Sequence, residues 1–362
     1  MTNRSGRVRL ARLTDLAALG ELSRICQGEA NGTRSLGLPV AGPPIRVFSL
    51  FRLPLGAFRP NDLLYVYEED RGRIAGLLRV ERETFRDEWT IVELDAVGPT
   101  EAGDIRFRLI QQLLREGVRR GAIRFHVACA DVDENVELFM QAGFVRYGDE
   151  RILFRRPGLP LPEPWSAEEA AAAGIREAHP TDAPALHRLY VAATPPPVQR
   201  LEMYRLADWE RQGLQWRVPR SSLAPILRFA DIEAYVQATP GGGPDGTGLD
   251  GLLQVGVARE DQPHYLKVLV RPGVDAGPLV RFGLGVIAAR TGRSEARGEA
   301  RGEGRGVDRH DHGVIAPVRT YESPVDRRLE EAGFETVATV TLLLKEALVR
   351  VADPALVPAG VR

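Results

Sequence analysis

A chain of 362 residues, of which 44% are hydrophobic and 27% charged, has enough apolar material for two globular cores. The formal net charge of −1 gives no electrostatic reason to expect nucleic acid or an anionic membrane as a partner. Cys26 and Cys129 are too few for a disulfide framework or a structural zinc site, so we expect no metal. The N-terminus lacks an apolar signal core and no run of about 18 apolar residues occurs, which predicts a cytoplasmic protein.

Hydrophobic periodicity and turn residues predict the elements of the first half. In chain order they are a short strand from Val8, a helix after Thr14-Asp15, a hairpin of 63–67 with 74–80, a strand at 90–97, a helix at 105–120 and a strand at 124–129. Thr14-Asp15 can cap its helix, because a side-chain oxygen there can accept a backbone N–H that has no partner in the first turn.

The same order of elements returns in the second half. A strand before Thr181-Asp182 is followed by a helix that this pair can cap, a hairpin of 232–238 with 252–258, a strand at 265–270, a helix at 279–290 and a strand at 314–318. Proline-rich residues 157–173 predict a linker between the halves. Residues 291–313 alternate Arg, Glu and Gly, which predicts a solvated loop because such a segment cannot bury apolar surface.

The residues themselves repeat in the same order. Arg9, Ala11, Thr14 and Asp15 return as Arg176, Ala178, Thr181 and Asp182. Ile74-Ala-Gly-Leu-Leu-Arg-Val80 returns as Leu249-Asp-Gly-Leu-Leu-Gln-Val255, and Ala142-Gly-Phe144 as Ala332-Gly-Phe334. The distance between equivalents grows along the chain, which indicates two copies of one domain with longer loops in the second.

Each half resembles a GNAT (GCN5-related N-acetyltransferase) domain, and the whole chain resembles a tandem GNAT protein. The resemblance covers about residues 7–156 and 174–347. It depends on the order strand–helix–hairpin–strand–helix–strand–helix, with Ala-Gly-Phe before a last hairpin. Its strongest sequence segments are Val8–Asp15, Glu137–Phe144 and Val270–Gly273.

The resemblance implies an α/β (α+β) fold made of two GNAT-like domains. The first copy is residues 1–156, the linker 157–173 and the second copy 174–362. Each copy is expected to be a twisted, mixed and mostly antiparallel sheet with helices on both faces. The sheet is expected to splay beside the 90–97 strand and beside its 265–270 counterpart.

The resemblance also implies acetyl-CoA as the acyl donor. The family binds it through a loop reading Arg/Gln-x-x-Gly-x-Gly/Ala, where the backbone and the positive end of the next helix meet the pyrophosphate. The candidate cofactor-binding residues lie in the first copy: Val97, Gly98, Gly103, Asp104, Ile105 and Arg106.

Both copies depart from that loop pattern. Alignment of the first copy from Val97 places Ala102 at the Arg/Gln position, and Ile105 and Phe107 at the two glycine positions. The second copy has Asp275, Pro278 and Val280 at the corresponding places. Proline offers no N–H, and an aspartate repels phosphate.

Arginines near the first-copy loop leave two interpretations open. Arg106 and Arg108 can supply positive charge to a phosphate in place of backbone N–H groups. Alternatively, both lie on the solvated face of their helix.

Candidate catalytic residues are also implied by the resemblance. A tyrosine three residues before the helix-ending Ala/Leu-Gly-Phe often protonates the departing thiolate, but Phe139 and Leu329 occupy that place and cannot donate a proton. A glutamate on the fourth strand often serves as general base, and Glu93 with Asp95 fits that role. The second copy carries Lys267 and no acid on its equivalent strand, so we expect chemistry, if any, in the first copy.

Strand alternation predicts that four residues share one face: Ile91, Glu93, Asp95 and Val97. Two neighbouring carboxylates raise each other's pKa, which suits one of them to accept a proton from an amine. The alternative is that this face meets solvent or an arginine such as Arg79 or Arg124.

Other chemically interesting groups have simpler explanations. Asp308–His312 has metal-ligand side chains but lies in the Arg/Glu/Gly segment, which favours adventitious binding or none. His126 alternates with apolar neighbours and is expected to be a core histidine. Trp209 and Trp216 could line a pocket, although aromatic residues in a helical stretch are more often core.

Three functions from different classes therefore remain open. The first is an acyl-CoA-dependent N-acyltransferase that transfers acetyl to an amine of a small molecule or peptide. The second is a GNAT-fold protein that has lost catalysis and binds a ligand between the copies. The third is a partner-binding protein without activity, and a homodimer is compatible with each.

Overall fold

A computed structural model describes residues 6–28, 61–83, 86–97, 102–212, 229–242, 248–258, 263–299 and 313–347. The strands are β1 (Arg7–Leu10), β2 (Asp62–Glu68), β3 (Ile74–Arg82), β4 (Glu88–Ala96), β5 (Arg124–Ala130), β6 (Val145–Arg155), β7 (Ile175–Glu177), β8 (Phe229–Ala238), β9 (Leu249–Ala258), β10 (His264–Val270), β11 (Val314–Arg319) and β12 (Glu335–Glu346). The helices are α1 (Leu16–Gly28), α2 (Ala102–Arg119), α3 (Asp133–Gln141), α4 (Ala167–Ala172), α5 (Ala183–Ala193), α6 (Pro196–Glu202), α7 (Leu206–Gln212), α8 (Gly277–Glu299) and α9 (Ser323–Glu331).

The twelve strands found in these described residues form one sheet in the order β1-β2-β3-β4-β5-β12-β6-β11-β10-β9-β8-β7. Two of its pairings are parallel, β4 with β5 and β10 with β11, and the others are antiparallel. The parallel pairing falls at the same place in each copy. The predicted mixed, mostly antiparallel α/β architecture, repeated twice, is confirmed.

The two copies exchange their last strands. β6 of the first copy pairs with β11 of the second, and β12 of the second copy pairs with β5 of the first. β6 and β12 also pair with each other in the middle of the sheet. The predicted hairpin after each Ala-Gly-Phe is wrong, because each copy contributes one long strand there and the antiparallel partner comes from the other copy.

Helices cover both faces of the sheet. On one face, α2 and α3 pack on the first copy, and α8 and α9 pack on the second. On the opposite face, α1 covers β2 and β3, and α5 with α7 covers β8 to β10. We refer to these as the α2 face and the α1 face.

Two segments differ from the sequence-based expectation. The linker 157–173 contains the short helix α4, which begins after a Ser166 cap whose hydroxyl accepts the Glu169 N–H at 3.2 Å. The predicted solvated loop begins too early, because α8 continues from Gly277 to Glu299 and includes residues 291–299. Residues 300–312 lie outside the described part of the chain.

The repeated Arg and Asp of the opening segment form the same ion pair in each copy. Arg9 donates two hydrogen bonds to Asp15, at 2.6 and 3.0 Å, and Arg176 donates two to Asp182, at 2.8 and 2.7 Å. Each carboxylate also accepts the N–H of the residue three positions earlier, at 2.7 Å. Asp182 makes no capping hydrogen bond to α5. This repeat therefore holds the turn between strand and helix.

The repeated glycine of the hairpin makes room for a helix. A Cβ atom on Gly76 would lie 2.5 Å from Cγ2 of Ile105 at the start of α2. A Cβ on Gly251 would collide in the same way with Leu279 at the start of α8. Ile105 and Leu279 are therefore structural equivalents, and the helix after the fourth strand crosses the sheet at the same point in each copy.

Candidate functional site

A cleft opens in each copy where the two parallel strands separate. The ladder between β4 and β5 ends at Ile91 and Val127, although both strands continue. The ladder between β10 and β11 ends at Tyr265 and Ile315. The backbone groups that face each gap have no neighbouring strand to pair with, which is the condition a bound ligand can exploit.

A β-bulge sets the direction of the two candidate catalytic carboxylates. Arg79 lies opposite Glu93, but the next residue of β3, Val80, lies opposite Ile91, so Val92 is an extra residue in β4. Ile91 is buried in the α2-face core, whereas Glu93 lies on the α1 face. The prediction that Ile91 shares a face with Glu93 is therefore wrong.

Glu93 and Asp95 lie side by side on β4 and share a hydrogen bond. Burial and the charge of Glu93 raise the pKa of Asp95 well above its ordinary value, and burial also raises the pKa of Glu93. Arg79 opposes that effect, because its Nε lies 3.4 Å from Oε2 of Glu93. Asp95 is therefore the member that holds the shared proton, and Glu93 accepts the hydrogen bond.

Arg106, in the first turn of α2, is buried and reaches α3. Only 6% of the residue is exposed, and its Nη1 donates to Oδ1 of Asn135 in α3 at 3.1 Å. Its charge also acts on Asp95 across the end of β4. The interpretation of Arg106 as a residue of the solvated helix face is wrong, whereas Arg108 is half-exposed and pairs with Asp104 at 2.8 Å.

The other predicted loop residues occupy different environments. Val97 is half-buried against the cores on both faces, and Gly98 lies outside the described residues. Gly103 is exposed, and a Cβ there would meet nothing within 4 Å. Ile105 is 2% exposed and packs under α2, so its side chain is part of the core and cannot contact a ligand.

The structure shows that the loop alignments of the two copies are out of register by one residue. Since Ile105 is equivalent to Leu279, Gly103 corresponds to Gly277. If the second-copy alignment is kept, the two family glycine positions fall on Asp104 and Arg106; if the first-copy alignment is kept, they stay at Ile105 and Phe107. The repeated Ala-Gly pairs, Ala102-Gly103 and Ala276-Gly277, were the sequence signal for this register.

The second copy places a cation where the first has an acid. Lys267 lies opposite Gln254 of β9, and Glu93 lies opposite the equivalent Arg79 of β3. Nζ of Lys267 donates to Oε2 of Glu322 at 2.7 Å. That the second copy is the poorer catalyst stays a prediction.

Neither position implied for a catalytic tyrosine faces the cleft. Phe139 and Leu329 are each 1% exposed and belong to the α2-face cores. Phe139 stacks edge-on against Phe144 at a centroid distance of 5.3 Å. Both side chains therefore stabilise helix packing.

A buried polar network between the copies was not predicted from the sequence. Glu202 of α6 accepts hydrogen bonds from the hydroxyl of Tyr190 at 2.8 Å and from Nη2 of Arg319 at 3.0 Å. Nε of Arg319 lies 3.2 Å from Glu150 of β6, so the network joins the two copies. Burial raises the pKa of Glu202. No local sequence pattern distinguishes Glu202 from a surface glutamate.

His126 and Trp209 are core residues, as expected. His126 is 4% exposed and lies 3.2 Å from Glu88, and Trp209 is fully buried beside Tyr190 and Tyr204. Trp216 and Asp308–His312 lie outside the described residues. Within the described ranges, no group of three or more His, Cys, Asp or Glu side chains could hold a metal ion. No helix in the same ranges is long and apolar enough to cross a membrane.

Comparisons with known proteins identify the fold. Neither a scan against protein-family models nor a search of curated proteins gives a match. Among solved structures, a GCN5-related N-acetyltransferase from Sphaerobacter thermophilus is 14% identical with a TM-score of 0.52, over 94% of this chain and 95% of that one. A tandem GNAT protein from the clavulanic acid biosynthesis pathway is 13% identical with a TM-score of 0.51, over 94% of this chain and 98% of that one.

A third solved structure is the GCN5-related glucosamine N-acetyltransferase region of a fungal multi-domain GH3 beta-N-acetylglucosaminidase. It is 12% identical with a TM-score of 0.51, and the match covers 95% of this chain and 38% of that one. All three similarities extend over nearly the whole of this chain. The chain therefore has the tandem GNAT fold.

Proposed function

We propose that this protein is an acyl-CoA-dependent N-acyltransferase that acetylates an amine of a small molecule or peptide, with the first copy as the acting copy. The observation that carries this proposal is the hydrogen-bonded Glu93–Asp95 pair beside the first cleft, in which Asp95 is buried and the Glu93 side chain is 11% exposed. A carboxylate whose pKa is raised by its surroundings is a better base near neutral pH than an exposed one. The equivalent place in the second copy holds a cation.

The reaction requires two protons to leave the ammonium form of the acceptor. Glu93 takes the first, which leaves a neutral amine whose lone pair attacks the thioester carbonyl. The new C–N bond forms, the C–S bond breaks, and the second proton goes from nitrogen to the departing thiolate. Arg79 and the proton on Asp95 hold Glu93 in its charged, accepting form until the amine arrives.

Two groups support binding of the acyl donor in the first copy. Gly103 is open to solvent at the start of α2, where free N–H groups and the helix dipole favour a phosphate. Arg106 adds a buried guanidinium in the first turn of the same helix. Asp104 opposes an anion, although its charge is offset by Arg108.

A second candidate is a GNAT-fold protein that binds a ligand without turnover. Phe139 stands in place of a proton donor, and the first copy lacks both loop glycines of the family in either alignment. Both observations favour a protein that keeps the fold and has lost catalysis. The two candidates differ in turnover, not in binding.

Titration of the full chain with acetyl-CoA, followed by thiol-release assays with cationic amines, tests the first candidate. We expect Glu93→Gln to lower kcat at least about 100-fold, the lower end for a lost general base, with the Kd for acetyl-CoA changed little. Glu116→Gln on α2, a partly exposed residue that pairs with Arg119 and Arg120, is the control and should retain full activity. Binding of acetyl-CoA without turnover of any amine favours the second candidate, and absence of acetyl-CoA binding to the folded chain contradicts the first.

A further inference from the structure

The second cleft is spanned by the side chain of Lys267. Only 1% of this residue is exposed. A lysine is rarely buried unless its charge has a partner. Its Nζ donates to the carbonyl oxygen of Pro317 at 3.0 Å and to Oε2 of Glu322 at 2.7 Å. Lys267 belongs to β10 and Pro317 to β11, so the ammonium bridges the two strands beyond the point where their ladder ends.

The carbonyl group of Pro317 points into the gap between β10 and β11. It lies opposite Ile152 of β6 in an antiparallel ladder. Proline has no N–H, so this pair cannot exchange hydrogen bonds and must be of the non-bonded type. In such a pair the carbonyl points away from the partner strand. For Pro317 that direction is toward β10, where Lys267 meets it.

Glu322 is the second hydrogen-bond partner of the Lys267 ammonium. It lies at the start of α9, and the same Oε2 that binds Lys267 accepts the N–H of Arg319 at 2.9 Å. The side chains of Lys267 and Glu322 are 1% and 6% exposed. A buried pair of opposite charges with its hydrogen bonds satisfied holds its position, because separating it leaves a buried charge unpaired.

The start of α8 is occupied as well. Oδ1 of Asp275 accepts the N–H of Gly277 at 2.9 Å and a hydrogen bond from Nε of Arg328 at 2.6 Å. The Gly277 N–H and Arg328 lower the pKa of Asp275, which is therefore charged. The Asp275 carboxylate thus lies at the N-terminus of the 23-residue helix α8, which is the end of a helix that favours a bound anion.

We infer that side chains of the second copy occupy the place that an acyl-CoA would take there. The Asp275 carboxylate lies where a phosphate of the ligand would bind, and the Lys267 ammonium lies inside the cleft. The inference depends on the proposed function only for the class of ligand, an acyl-CoA. The first copy has Glu93 at the place of Lys267, so it has no counterpart of the ammonium. Removal of the occupying groups should create an acyl-CoA site in the second copy.

An opened variant and a filled control test this inference in the full chain. The opened variant carries Lys267→Ala, Asp275→Ala and Glu322→Gln, which removes both occupying groups and keeps an acceptor for the Arg319 N–H. The control carries Lys267→Met, Asp275→Asn and Glu322→Gln, which removes the charges but fills the same space. Calorimetric titration with acetyl-CoA measures the number of sites, and hydrogen–deuterium exchange of residues 271–280 locates the ligand.

We expect the opened variant to bind one more acetyl-CoA per chain than the unchanged protein, with slower exchange at 271–280 only in that variant. An increase from none to one would refute the proposed first-copy site and still support this inference. A folded opened variant with an unchanged number of sites overturns it, as does a control that gains the same site.

The unchanged protein offers a test that requires no substitution. Lys267 and Lys345 are the two lysines of the chain, so reductive methylation followed by mass spectrometry reports each one separately. We expect Lys267 to stay unmodified with and without acetyl-CoA while Lys345 reacts. Modification of Lys267 that rises at least tenfold on addition of acetyl-CoA would show that the ligand displaces it, and the inference would fail even if the opened variant does not fold.

Discussion

Glu93 and Lys267 occupy the same position in the two copies and carry opposite charges. Each lies on the strand that borders the cleft, two residues beyond the last residue of that strand in the parallel ladder. Glu93 faces Arg79, whereas Lys267 bonds to Glu322. The two copies therefore have the same backbone arrangement but place opposite charges beside the cleft. We expect them to have different roles in the proposed reaction.

Asp95 should control the pH dependence of the first copy. Since Asp95 holds a proton and donates to Glu93, Asp95→Ala removes a bond that favours the charged Glu93 and should raise the pKa of Glu93 further. The rising limb of kcat/KM against pH should then move to higher pH. Asp95→Asn keeps a donor and should move it less. A limb that shifts downward in Asp95→Ala would contradict this assignment of the proton.

The sequence predicted the fold because its repeated residues have local structural tasks. Arg9 with Asp15, and Gly76 under α2, act through contacts that any copy of the domain must make. The exchange of β6 and β12 was not predictable, because both strands have the same alternation and either partner satisfies it. Pattern alone therefore identified the elements but not which copy each last strand joins.

The candidate site was predictable in its residue types and less so in its directions. The carboxylates were recognised, but the bulge at Val92 reversed the alternation before them. Arg106 was identified with its direction left open, and burial against Asn135 decides it. The sequence shows that the second copy has Lys267 and no acid on this strand. It does not identify the partner of the lysine, because Glu322 is 55 residues away along the chain.

Gly76→Ala should destabilise the first copy. The new methyl group would overlap Cγ2 of Ile105, which is held by its branched Cβ and cannot rotate away freely. We expect a loss of about 1–3 kcal/mol in the free energy of unfolding, as for overpacked cores. Gly103→Ala is the matched control, since nothing lies within 4 Å of its added methyl group and alanine favours a helix. Equal effects of the two substitutions in urea denaturation would contradict the packing argument.

The exchanged strands should keep the copies together after the linker is cut. A protease site inserted after Gly158, which is exposed and has open space around it, would separate residues 1–158 from the rest. Because β6 remains between β12 and β11, we expect both fragments to co-elute in gel filtration without denaturant. The uncut protein with the same insertion is the control. Separation of the fragments in native buffer would show that the exchanged ladders do not bind the copies.

His126 should make the fold sensitive to acid. Burial lowers the pKa of His126 to about 3, against 6.5 for the unperturbed side chain. Two glutamates, Glu83 and Glu202, oppose this shift, while Arg86 and Arg124 add to it.

Between pH 6.5 and 3 the unfolded chain binds a proton at His126 and the folded chain does not. Stability from this residue is therefore present above pH 6.5 and is lost as the pH falls, by up to about 1.4 kcal/mol per pH unit. Glu202 acts with the opposite sign, since its pKa is raised in the fold. A difference between variants isolates the histidine.

His126→Gln keeps a donor for Glu88 and does not titrate, so its unfolding free energy should fall less steeply between pH 6.5 and 4.5. His187→Gln is the control, because His187 is only half-buried on α5 and a smaller effect is expected there. Urea denaturation at several pH values measures both slopes. Identical slopes for His126→Gln and the unchanged protein would mean that His126 takes up its proton in the folded state near its ordinary pKa.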